Sequence, residues 1–148
     1  MTLQDRVQQG LKSAMLAKDI DRLATLRLLK SALGYLQIER NAEQLSDLEV
    51  IAVVQKEIKK RRDAIEQYQA GGRPELAEKE GRELAVLETF LPQPLSPEEL
   101  AQLVQSTIQE LGAASKKDMG PVIKAVQAKA AGRADGKSIS ALAAKLLP

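Results

Sequence analysis

KKRRDAIEQYQAGGRPELAEKEGRELAVLETFLP, running from Lys59 to Pro92, places three charges where apolar residues belong. After the glycine pair, Leu76, Leu84, Leu87, Phe90 and Leu91 recur at the three-to-four spacing of one buried helical stripe. At ~100° per residue, Glu80 and Glu83 fall inside that stripe. The helix before the glycines has the same anomaly with the opposite sign. Val50, Ile51, Val54, Ile58, Ile65 and Tyr68 make its apolar face, with Arg61 in the middle and Arg62 at the flank. An unpaired buried charge costs several kcal/mol, so the complementary signs predict an ionic network of Arg61, Glu80 and Glu83 joining the two helices.

Outward from this pair, the punctuation of the chain predicts at least seven helices. The first runs from about Leu3 to Lys18 with Val7, Leu11, Ala14 and Met15 inward. The DID segment at Asp19 to Asp21 caps a second, which continues to about Arg40 on an apolar side of Leu26, Leu29, Leu33 and Leu36. Ser46 with Glu49 forms a capping box and opens the helix that carries Arg61, through Tyr68. AGGRP, Ala70 to Pro74, forces a turn, and Pro92 with Pro94 ends the fourth helix near Leu91.

LPQPLS, Leu91 to Ser96, reads as a linker, because its prolines stiffen the chain and deny it helix. Ser96, Pro97 and Glu99 then sit at the positions preferred at a helix start, for a fifth helix ending at Leu111 with Gly112 in αL. Ser115 to Asp118 form a new polar cap before a sixth helix over Gly120 to Ala131. In GRADGK, Gly132 suits a helix stop, Gly136 suits a positive φ, and Ser138 is the expected cap of a last helix to Leu147. The expected fold is all-α: an N-terminal bundle of about four helices over residues 1–92 and a smaller three-helix subdomain over 93–148. No repeat or heptad array suggests a solenoid or a long coiled coil.

Composition removes whole classes of chemistry. The chain has no cysteine and no histidine, so disulfides, thiolate metal sites and serine–histidine or cysteine–histidine catalysis are excluded. Aromatic residues are Tyr35, Tyr68 and Phe90 alone, which leaves a core of Leu, Ile, Val and Ala and favours helices over sheets. The start, MTLQDRVQQG, lacks a signal-peptide pattern, and no apolar run approaches the ~18 residues of a membrane span. A cytoplasmic protein without metal or cofactor is expected.

Three features compete as sites. The Arg61, Glu80 and Glu83 group is read as structural, since an arginine neighbour keeps a carboxylate ionised, the wrong state for a general acid. Of KEIKKRR, Lys56 to Arg62, the residues Lys56, Lys59 and Lys60 share the solvent face with Asp63 while Arg61 turns inward, so the exposed part is a short basic stripe and is read as a solvated face. Charge favours the C-terminal part instead. Residues 1–92 carry 15 basic and 15 acidic side chains, whereas 113–148 carry seven basic and two acidic, net +5. Lys116, Lys117, Lys124, Lys129, Arg133 and Lys137 are the candidate nucleic-acid contacts, placed around loops and helix starts where free N–H groups also suit phosphate. GRADGK is no Walker motif, because the glycine spacing fails by one residue and no strand precedes it.

AMLAKD at Ala14 to Asp19, TLRLLKSAL at Thr25 to Leu33, KKRRDAIEQY, the E-x-x-E then LP pattern from Glu80 to Pro92, and DMGPVI followed by GRADGK together resemble the free-standing YqeY-like proteins over nearly the whole chain. These are similar to the C-terminal tail domain of the B subunit of the glutamyl/aspartyl-tRNA amidotransferase, the GatB/YqeY relationship. Ile123, where the family often has methionine, and Pro121 directly after Gly120 depart from the pattern. The resemblance implies a helical bundle, a smaller three-helix subdomain and a tRNA-recognising role beside an amidating enzyme. It also carries a family label of carbon–nitrogen ligase with glutamine as amido-N-donor, but the catalytic domains that perform that reaction are absent here. The expectation is therefore a tRNA-binding accessory protein without intrinsic catalysis, with a protein-interaction module as the alternative. With three aromatics, binding would rest on shape and phosphate contacts rather than base stacking.

Overall fold

The computed structural model describes residues 1–148 and is 78% helical, with seven α-helices and no strand. It divides into two compact units, Met1–Leu91 and Pro92–Pro148.

The first unit is built from α1 (Leu3–Leu16), α2 (Ile20–Arg40), α3 (Asp47–Ala70) and α4 (Pro74–Glu88). Polar caps set the helix starts. Thr2 with Asp5 and Ser46 with Glu49 form capping boxes, and the Asp19 carboxylate accepts from the Arg22 N–H. Leu26, Leu29 and Leu33 of α2 meet Val7 and Leu11 of α1, Val50, Val54 and Ile58 of α3, and Leu87 and Phe90 from the end of the unit. Met15, expected inward, is 51% exposed. The buried positions of α1 are Val7, Gly10, Leu11 and Ala14, and Met15 lies ~100° round from Ala14, outside that face. The loop between α2 and α3 is fastened by side-chain amides. Gln4 accepts from the Leu45 N–H (2.9 Å) and Gln37 donates to the Glu43 carbonyl (2.6 Å), which holds Leu45 in the core. At the tip of the α3–α4 hairpin, Gly72 takes φ +71° and the Arg73 N–H reaches back to the Tyr68 carbonyl (2.8 Å).

The second unit consists of α5 (Pro97–Leu111), a 3-10 turn (Lys116–Asp118), α6 (Met119–Ala130) and α7 (Gly136–Leu146) around Leu100, Val104, Val122, Val126, Ile139 and Ala143. Gly112 ends α5 in the left-handed region at φ +65°, and Ser115 with Asp118 makes a capping box at the 3-10 turn. The segment expected to be a linker is tied down from Gln93 onward. The Leu95 N–H donates to the Arg133 carbonyl (2.8 Å), and Arg133 Nε donates to the Gln93 carbonyl (2.9 Å). The start of α7 also differs from expectation. Gly136 does not take a positive φ, and Asp135, rather than Ser138, is the cap, accepting from the Ser138 N–H at 2.7 Å. Both residues are good cap formers; the earlier one wins because glycine accepts a helical conformation at the first position.

Candidate functional site

Arg61 emerges from the buried side of α3 and Glu80 and Glu83 from facing turns of α4. Arg61 Nη1 lies 3.0 Å from Glu80 Oε2 and is hydrogen-bonded to Glu83 Oε2. Arg61 and Glu83 are both buried, at 8% and 6% exposure, while Glu80 is half-buried. One guanidinium nitrogen thus serves two carboxylates, and Arg61 Nε is left buried without a partner. Arg62 stays at the surface, 3.9 Å from Glu88. The cluster lacks a nucleophile, and nowhere in the chain do three His, Cys, Asp or Glu side chains come together to hold a metal ion. Its chemistry is that of a buried ion pair holding two helices.

In the second unit the six candidate cations separate into two kinds. Lys129 is bonded to Glu110 and lies 3.4 Å from the Thr107 hydroxyl, and Arg133 holds the Gln93 carbonyl. Arg133 also stands close enough to Glu99 for its charge to act there. Glu99 is held below the ordinary carboxylate value first by hydrogen bonding with the Ser96 side chain and backbone, and then by the Arg133 charge. These two cations, although exposed, therefore already have partners within the unit. Lys116, Lys117, Lys124 and Lys137 are exposed and form no ion pair within the chain. Lys116 and Lys117 lie in the 3-10 turn that leads into α6, Lys124 follows in α6, and Lys137 lies in the first turn of α7. Glu98, Glu99 and Glu110 belong to α5, whereas Asp118 closes the 3-10 turn that holds Lys116 and Lys117 and Asp135 caps α7 just before Lys137.

Sequence periodicity gave no sign of a third arrangement. Arg6 donates to the Thr89 carbonyl at the end of α4 (3.2 Å) and lies 5.8 Å from the centre of the Phe90 ring. Together with Arg22, Gly10 and Phe90 it lines an open groove of about 730 Å³. Phe90 was legible as core; the arginine over it was not, because the two are 84 residues apart. No helix of the chain is long and apolar enough to cross a membrane.

Curated relatives are fungal. A Schizosaccharomyces pombe protein named as uncharacterized is 35% identical over 91 residues, covering 62% of this chain and 73% of its own. A Vanderwaltozyma polyspora protein named Altered inheritance of mitochondria protein 41, mitochondrial, is 31% identical over 107 residues, and the match spans 71% of this chain but 58% of that protein. The protein of the same name from Kluyveromyces lactis is 34% identical over 84 residues, 57% of this chain and 45% of its own. The chain thus spans about half the length of these named mitochondrial relatives. The model of the family described as Yqey-like protein matches residues 4–147, nearly the whole all-helical chain, and the chain belongs to that family.

Proposed function

We propose that the protein is a tRNA-binding accessory factor that acts through α6, α7 and the 3-10 turn before them, as the tail-domain resemblance implies. The observation that carries this reading is the set of four exposed, unpaired lysines, Lys116, Lys117, Lys124 and Lys137, in a unit whose other two candidate cations are already engaged. Such lysines contact phosphates and release counterions, so they give affinity without sequence discrimination. The second unit as a whole, residues 92–148, carries seven basic and five acidic side chains, net +2, so the affinity is modest and falls steeply with salt. No metal-binding cluster accompanies the lysines, and glutamine-dependent amidation belongs to a partner enzyme in this scheme. A cytoplasmic location is proposed; the fungal relatives are named as mitochondrial, and tRNA is available in either compartment.

Titration of bulk tRNA at 50 and 200 mM salt tests the proposal. Changing Lys116, Lys117, Lys124 and Lys137 to Ala should abolish most binding and flatten the salt dependence by roughly 0.9 unit of slope for each phosphate no longer neutralised. Changing Lys129 and Arg133 should act mainly on stability. A parent protein that binds no tRNA at 50 mM salt sinks the proposal, as does a quadruple variant that binds as the parent does.

A further inference from the structure

The groove between α1 and the end of α4 is lined by two arginines, Arg6 and Arg22, and by no acidic side chain. Three-and-four spacing puts Arg6, Gly10 and Ser13 on one face of α1, spread over roughly 10 Å of its length. Arg22 enters from the first turn of α2, and Ala85 and Val86 of α4 form the opposite wall. Gly10 is the floor. A methyl group there would lie 3.3 Å from Leu26 Cδ1, 3.6 Å from Arg22 Nη2 and 3.7 Å from Phe90 Cζ. The first contact accounts for a glycine by helix packing; the other two show that its missing side chain leaves the space between guanidinium and ring clear. Arg6 stands 5.8 Å from the centre of the same ring, so cations from two helices flank Phe90.

Neither arginine has a counterion. The acids beside them in sequence are engaged elsewhere: Asp5 accepts from the Thr2 N–H, Asp19 from the Arg22 backbone N–H, and Asp21 from Arg82 at 3.3 Å. Arg6 directs one N–H to the Thr89 carbonyl, which leaves its other donors open. The side chain of half-buried Arg22 has no hydrogen bond or ion pair within the chain, and the Ser13 hydroxyl has no partner either. Covering an aromatic ring accounts for Arg6, but a half-buried cation without a partner loses solvation that an anion would restore. We propose that this groove binds a small organic phosphate, with the phosphoryl group held by Arg6, Arg22 and the Ser13 hydroxyl and the carbon skeleton lying along Ala85 and Val86. A carboxylate presents two oxygens in one plane and is satisfied by a single guanidinium fork. A dianionic phosphate presents three around a tetrahedron, which suits two guanidiniums and a hydroxyl together. The groove volume of about 730 Å³ falls within the ~300–1,000 Å³ of small-molecule sites. Every residue of the site belongs to the first unit, so the inference is independent of the tRNA reading, whose lysines lie in the second.

Titration of the isotope-labelled full chain with phenyl phosphate at low salt, followed by its amide resonances, tests the proposal. The resonances of Gly10, Ser13 and Arg22 should shift saturably. Benzoate, which joins a carboxylate to the same ring, should bind at least tenfold more weakly. Arg22→Gln should weaken phenyl phosphate binding at least tenfold, the scale of a lost charge-assisted fork, and Ser13→Ala at least twofold. Neither side chain is bonded within the chain, so helicity should not change. Lys12→Gln removes the same charge from an exposed position of α1 outside the groove and should leave binding within twofold of the parent. Binding of tRNA should be the same in Arg22→Gln as in the parent. Phenyl phosphate that produces no saturable shift at millimolar concentration overturns the proposal. Equal losses in Lys12→Gln and Arg22→Gln, which mark a diffuse charge effect, overturn it as well, as does benzoate binding as tight as that of phenyl phosphate. A loss of tRNA binding in Arg22→Gln also overturns it, because the groove would then belong to a nucleic-acid surface.

Discussion

Replacing Arg61 by Ala should remove the cation from a site where Glu83 has almost no access to water, its side chain being 8% exposed. Breaking a buried pair on one side costs about 3–5 kcal/mol, because the remaining charge stays buried and uncompensated. A domain of this size has about 5–15 kcal/mol in all, so the loss is a large fraction of the stability of the first unit. With a urea dependence of about 1–3 kcal/mol per molar, the unfolding midpoint should fall by roughly 1–5 M. Tyrosine fluorescence reports this unit alone, since Tyr35 and Tyr68 both belong to it and the chain has no tryptophan. The two carboxylates should not be equivalent. Glu80→Gln should cost less than Glu83→Gln, because the Glu80 side chain, 21% exposed, shares its solvation with water. Arg61→Met combined with Glu83→Leu should regain most of the loss, as apolar replacements of buried pairs do. An Arg61→Ala variant with the midpoint of the parent would refute the reasoning, and Arg61 would then have no share in joining α3 to α4.

Two shorter expectations follow from caps. Glu49, Glu75 and Glu99 are each held below the ordinary glutamate value of 4.5, Glu49 foremost by the Ser46 N–H, Glu75 by the Arg73 side chain and Glu99 by Ser96. A lowered carboxylate lends stability that is fully present above its unfolded value and is lost as the pH falls through the folded one. Stability should therefore decline below about pH 4.5, and a Glu49→Gln variant should show a shallower decline in urea titrations run from neutral to acidic pH. At α7, Asp135→Ala should cost about 1 kcal/mol and Ser138→Ala far less, measured by thermal unfolding; the reverse order would restore Ser138 as the cap.

Seven helices were legible because the three-to-four apolar period and the polar caps agree along most of the chain. Ser46 with Glu49, Ser96 with Glu99 and the αL Gly112 each needed only local sequence. Local sequence failed where two neighbours had similar claims. Asp135 and Ser138 are both cap formers three residues apart, and Ala14 and Met15 are both apolar at the edge of one face. It also had nothing to say where the deciding partner is remote. Lys129 and Arg133 read as free cations until Glu110, 19 residues away, and Gln93, 40 residues away, come beside them.

The buried charges have a consequence that an apolar contact between α3 and α4 would lack. Leu, Ile and Val side chains on two facing helices accept several registers at similar cost, because apolar burial is not directional. A slip of one turn moves one helix about 5.4 Å past the other. Ile58 and Leu87 could be replaced in that contact by other aliphatic residues, but Arg61 would leave Glu83, and no second cation lies on the buried side of α3 to receive it. Glu80 and Glu83, three apart on α4, share one face, so the single Nη1 of Arg61 can hold both only in the observed register. The wrong register therefore carries the several kcal/mol of an unpaired buried carboxylate while the right one does not. That difference, rather than any net gain from the ion pair itself, is what lets two short apolar stripes joined by a glycine turn settle into one arrangement.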